Sequence, residues 1–77
     1  MKFRWVNSNG DPELEVKLDG EWRYVGYLST YGDWWEVTAN WVPGNTAPDG
    51  ARFLSLHAAK LYLRKHAMMA IIGGYKP

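Results

Sequence analysis

The dipeptide Asp19-Gly20 constrains this chain most, because it separates two runs of alternating polarity. Asp-Gly between such runs is the strongest short-range hairpin signal. Upstream, Leu14, Val16 and Leu18 alternate with Glu15 and Lys17, the period-2 pattern of a half-buried strand. Downstream, GEWRYVGYL carries the chain into a second strand. Two loop lengths compete. A three-residue loop, Leu18-Asp19-Gly20, sets Lys17 opposite Glu21, Glu15 opposite Arg23, Val16 opposite Trp22 and Leu14 opposite Tyr24. One face is then apolar and the other pairs opposite charges, each pair worth roughly 0.2–1 kcal/mol. A two-residue loop sets Val16 against Arg23 and Leu18 against Glu21, which mixes both faces. The side chains therefore predict the three-residue loop, with Gly20 left-handed as a bulge.

The hairpin opens a longer unit. Glu13 to Pro43 reads as a three-stranded antiparallel meander with strands over 13–18, 21–28 and 34–42. Ser29 to Asp33 contains Gly32 and forms the second turn. In the third strand Trp35, Val37, Ala39 and Trp41 share the core side, and Glu36, Thr38 and Asn40 point away. Ala39 is the small residue over which a helix can approach. Residues 2–6 form a further strand, Phe3 and Trp5 alternating with Lys2 and Arg4, that joins the meander's edge. Asn7 to Pro12 is dense in turn formers and connects the two. Pro43 to Arg52, PGNTAPDGAR, is a polar loop whose prolines and glycines rule out a central strand.

The chain then changes period. Ser55 is a helix N-cap, and Leu54 before it can staple onto the first turn near Ala59. The helix runs over 56–72 and stops at Gly73-Gly74. Ala58, Ala59, Tyr62, Leu63, Met69 and Ala70 form its apolar side, and His57, Lys60 and Arg64 cluster opposite. Lys60, Arg64 and Lys65 complement the negative end of the helix dipole. Leu61, Met68 and Ile71 fall off the apolar side, more hydrophobic surface than one sheet face needs. The tail, 73–77, is flexible unless Tyr75 docks. The fold expected is α+β: a three- or four-stranded antiparallel meander packed against one C-terminal α-helix, as a single domain over 1–77.

A chain of 77 residues is short for a core; such a domain buries only ~60% of its unfolded surface. Aromatics at 16%, including five Trp, offset this, since each buries ~150–250 Å². They also exceed what so small a core can hide, so some reach the surface. Cysteine is absent, which excludes disulfides, thiolate metal sites and cysteine catalysis. No run of about 18 apolar residues marks a membrane span, and the N-terminus lacks a signal peptide's apolar core. The expectation is a complete small reading frame, cytoplasmic, that does not enter a membrane. Net charge is +1, unevenly placed. Residues 1–49 carry four cations and eight acids, whereas residues 50–77 carry five cations and no acid. That half is either a solvated helix face or a surface for an anionic partner.

Candidate chemistry is sparse. His57 and His66 lie nine residues apart, on opposite sides of the helix, and cannot share a metal; His66 reads as a core or boundary residue. Asp33 with Glu36, or Glu15 with Glu21, could form a carboxylate pair, but these positions read as solvated turn and strand charges. No cofactor site is suggested, and Gly73-Gly74 follows a helix rather than opening one. Trp22, Tyr24, Tyr27, Trp34 and Trp35 could form an aromatic cage for a cation. Alternation instead assigns Trp22, Tyr24 and Trp35 to the core and leaves Tyr27 and Trp34 outside as a contact patch.

The order of GEWRYVGYL, DWWEVTA, a glycine-containing loop and RFLSLHAAKLYL resembles the AP2-type and integrase arm-type DNA-binding domains over residues 20–65. The resemblance implies a sheet that enters the major groove, backed by the helix. The matching face offers Lys17, Arg23, Thr38 and Asn40, but also Glu15, Glu21 and Glu36, which depart from the Arg- and Trp-rich family pattern. Carboxylates oppose phosphate contact, the main source of affinity.

The leading expectation is a non-enzymatic protein-binding module, in the manner of small phage or mobile-element proteins that bind and inhibit a host protein. Its contact residues are Tyr27, Trp34, His57, Lys60, Leu61 and Arg64. The alternative is a DNA- or RNA-binding protein that uses its sheet or basic helix face. Leu61, Met68 and Ile71 would form the seam of a homodimer through the helix.

Overall fold

A computed structural model describes residues 1–39, 41 and 50–77. Five strands form one antiparallel sheet in chain order: β1 (Lys2–Ser8), β2 (Asp11–Leu18), β3 (Glu21–Tyr31), β4 (Trp34–Ala39) and β5 (Arg52–Phe53). The helix α1 (Leu56–Ile72) follows and lies across one face, mainly over β3, β4 and β5. The α+β meander is as expected, with five strands where three or four were expected. Arg52, expected at the end of the loop, instead joins Phe53 in that fifth strand, opposite Glu36 and Trp35 respectively. Asn40 and 42–49 lie outside the described residues.

Three two-residue turns build the meander. Asn9-Gly10 joins Ser8 to Asp11, Asp19-Gly20 joins Leu18 to Glu21, and Gly32-Asp33 joins Tyr31 to Trp34. At Asp19 and Gly20 φ is 52° and 80°, the left-handed pair that a type I′ turn requires. The three-residue loop expected there is therefore incorrect. Val16 faces Arg23, Lys17 faces Trp22 and Glu15 faces Tyr24. What reconciles the two faces is a β-bulge further along. Leu14 pairs with Gly26, so Val25 is an extra residue on β3. Val25 and Leu28, three apart, are consequently both buried beneath the helix. Trp22 and Tyr24 move to the open face, away from α1, and are not core residues. The strands also run further into the turns than expected: Asp11 and Pro12 lie in β2, and Ser29 to Tyr31 in β3.

The core is formed by Leu14, Val16, Val25, Leu28, Val37 and Trp41 from the sheet side, with Ala59, Leu63 and Ala67 from α1. The helix is thus rotated from the expected orientation. Ala67 faces the sheet, while Met69 is 56% exposed. The close approach falls at Gly26, the ladder partner of Ala39. A Cβ at Gly26 would lie 2.6 Å from the Thr38 carbonyl oxygen and 3.2 Å from Leu63 Cδ1.

Both helix ends are capped as the sequence suggests. Ser55 Oγ accepts from the Ala58 N–H at 3.2 Å. Leu54, however, is 66% exposed and does not staple; Phe53 packs inward instead, 4.8 Å from the Tyr62 ring. At the far end the Gly74 N–H donates to Ile71 O and the Tyr75 N–H to Ala70 O, a Schellman motif around left-handed Gly74. Tyr75 docks against Trp41, with ring centroids 5.9 Å apart. The last turn holds no basic residue. Lys60, Arg64 and Lys65 sit mid-helix, beyond the single turn over which the dipole acts.

Candidate functional site

Register decides which strand residues can meet the helix. Phe3 pairs with Val16 and Trp5 with Leu14, so both β1 aromatics share the helix face. The helix lies mainly over the other half of the sheet and leaves this edge partly uncovered. Between them runs an open groove of about 330 Å³, lined by Phe3, Trp5, His57, Lys60, Leu61 and Arg64. The helical residues recur at steps of three or four, which aligns them on one stripe. Lys60 Nζ lies 5.3 Å from the Trp5 ring centroid, and Arg64 Cζ lies 5.5 Å from that of Phe3. Such cation–π contacts are worth about 0.5–1 kcal/mol at exposed sites. No carboxylate lines the groove. Among the described residues, the ion pairs are Arg4–Glu15, Arg23–Glu21 and Arg52–Glu36, and none involves Lys60 or Arg64.

The six residues singled out from the sequence therefore separate. His57, Lys60, Leu61 and Arg64 meet in the groove. Tyr27 and Trp34 lie on the opposite, open face of the sheet, with Glu13 and Tyr31 as their respective ladder neighbours. Trp34 is 42% exposed, whereas Tyr27 is half-buried. Phe3 and Trp5 were not singled out as site residues. Their signal was the alternation of β1 combined with its place at the sheet edge.

On the open face cations also lie over rings: each guanidinium there is bound by an acid, while Lys17 Nζ, 5.8 Å from the Trp22 centroid, has no ion pair among the described residues. Arg4 Cζ sits 4.1 Å from the Trp22 centroid while its Nε donates to Glu15 at 2.7 Å. Arg52 Cζ sits 4.0 Å from the Tyr31 centroid while its Nε donates to Glu36 at 3.0 Å. The hydrogen bond from Arg52 to Glu36, foremost, raises the arginine's pKa. Burial, with the Glu13 carboxylate nearby, raises the Tyr24 phenol above its usual range.

The other candidate groups are dispersed. Glu15 and Glu21 occupy opposite faces, each held by an arginine, and Glu36 is held by Arg52, leaving Asp33 in an exposed turn. His66 stacks on Tyr62, with centroids 4.3 Å apart, while His57 is in the groove. Among the described residues, no group of three or more metal-binding side chains converges, and no helix is long and apolar enough to cross a membrane. Arg23 lies under the C-terminal tail, where Nη1 donates to the Pro77 main-chain oxygen at 3.1 Å. Of the residues of the expected dimer seam, Ile71 packs partly against the core, Met68 is half-buried and Leu61 is 53% exposed.

In comparisons with known proteins, no family model matches the chain, and neither a curated protein nor a solved structure does.

Proposed function

We propose that the chain is a non-enzymatic protein-binding module, and that the groove between β1 and α1 is its contact surface. One observation carries this reading: Lys60 and Arg64 lie over aromatic rings at an open groove, with no acid to neutralise them among the described residues. A partner that supplies carboxylates beside an apolar group would satisfy both features, and electrostatic complementarity would speed and orient its docking. Binding that blocks a surface of a larger host protein, in the cytoplasm, is the mode we infer for so small a unit. On the open face Glu15 and Glu36 already hold the guanidiniums that would otherwise meet phosphate, which makes nucleic acid the second reading.

Affinity capture from lysate with and without nuclease, with three proteins compared in parallel, tests the proposal. The parent and Trp34→Ala should retain one partner, and Lys60→Glu/Arg64→Glu should lose it by more than tenfold. Equal retention by the double variant would remove the groove from the account. Capture that disappears with nuclease would transfer the function to nucleic acid.

A further inference from the structure

We propose that the groove recognises its partner by strand addition: an extended acidic segment pairs with the outer edge of β1. This rests on the groove being the contact surface and names the form of what binds there. β1 ends the strand order, and among the described residues nothing pairs with its outer side. In an antiparallel ladder every second residue turns both its N–H and its C=O outward. A seven-residue strand, Lys2–Ser8, therefore offers a row of main-chain groups along the mouth of the groove. Such an edge is a ready template for another chain.

Charge selects the occupant. An added strand would present alternate side chains to the two faces of the sheet. On the helix side these meet the groove, with Lys60 and Arg64 above Trp5 and Phe3. On the other side they meet Lys2, which pairs directly with Lys17 across the ladder. Like charges in that position destabilise the pair, and an acid on the added strand would relieve it. Cations therefore flank the edge on both faces. The same charges disfavour a second copy of this chain, because β1-to-β1 pairing would add a second Lys2, Lys60 and Arg64, none of them ion-paired among the described residues, along the same edge. The occupant is a different, acidic, extended segment of roughly the length of β1.

The test uses the whole protein and a capped heptapeptide alternating Asp and Val, with a Lys-for-Asp counterpart. Two further versions of the acidic peptide carry N-methyl groups on either the odd or the even peptide bonds. Strand addition predicts that the acidic peptide binds and the lysine peptide does not. It also predicts that one N-methyl version loses at least tenfold in affinity while the other retains it. Alternate β1 amides should exchange more slowly with solvent in the complex. If the two N-methyl versions behave alike, or β1 exchange is unchanged, strand addition is wrong. The groove assignment then survives only if Lys60→Glu/Arg64→Glu still weakens the acidic peptide. Failure of the acidic peptide to bind at millimolar concentration also overturns strand addition, leaving the groove to be judged by the capture experiment.

Discussion

The two faces of the sheet use the same contact for opposite ends. On the open face, Arg4 lies on Trp22 and Arg52 on Tyr31; in the groove, Lys60 lies over Trp5 and Arg64 over Phe3. The difference is the third member. Glu15 and Glu36 complete the two guanidinium pairs of the open face, where Lys17 also lies 5.8 Å from the Trp22 centroid without an ion pair, whereas neither groove cation meets an acid among the described residues. A cation on a ring is thus not in itself a mark of a binding surface. Two such cations side by side in one groove without a counter-charge are a stronger mark, since their electrostatic interactions are still to be made.

The comparison depends on a helix held close to the sheet, and the largest effect should come from opening that seam. Gly26→Ala places a methyl against the Thr38 carbonyl oxygen, which is main chain, and against Leu63. Overpacking of this kind costs about 1–3 kcal/mol. Urea unfolding should show that loss, and a midpoint equal to the parent's would mean the close approach is not real.

A smaller effect should separate the faces directly. Arg4→Ala removes an ion pair and a ring contact and strands a partly buried Glu15 carboxylate, and should cost about 1 kcal/mol. Lys60→Ala breaks no ion pair among the described residues and loses only its contact with the Trp5 ring, so it should cost no more than about 0.5 kcal/mol, the low end for such a contact. The contrast fails if both variants unfold at the same urea concentration.

The smallest effect concerns pH. The folded protein holds the Tyr24 phenol protonated above its ordinary range, through burial and then the charge of Glu13. A raised folded-state pKa contributes stability below the unfolded value, near 10 for a phenol, and that stability is lost as pH rises through the folded value. Tyr24→Phe should therefore lose less stability than the parent between about pH 9 and pH 11. Parallel alkaline curves would show that Tyr24 does not sense the fold.

Much of this architecture was legible where one residue type has one conformational use. Ser55 and Gly73-Gly74 bound the helix at Leu56 and Ile72, and Asp19-Gly20 marked its hairpin. Register was not legible by face-matching, because that method assumes unbroken alternation. The bulge breaks it, and the odd spacing of Val25 and Leu28 was the sign of the break. The helix orientation was misjudged for a related reason. α1 carries apolar residues around much of its circumference, so a periodicity sum cannot tell which arc the sheet covers. Four of the six residues expected to make contact, His57, Lys60, Leu61 and Arg64, line one groove because helical spacing alone aligns them. Their union with Phe3 and Trp5 depended on the sheet edge, which is tertiary information.

The bulge at Val25 also makes β3 sensitive to counting. Substitutions along this strand change one side chain at a time. Loss of a single codon is a different event: at Val25 it would only remove the bulge, whereas elsewhere, with the bulge kept, every residue on one side of the gap would turn over. Tyr24 and Trp22 would trade places with Arg23, or Leu28 with Tyr27, carrying rings into the interior or an aliphatic out to water. In hereditary terms, the strand can drift in letters anywhere but in length only at the bulge.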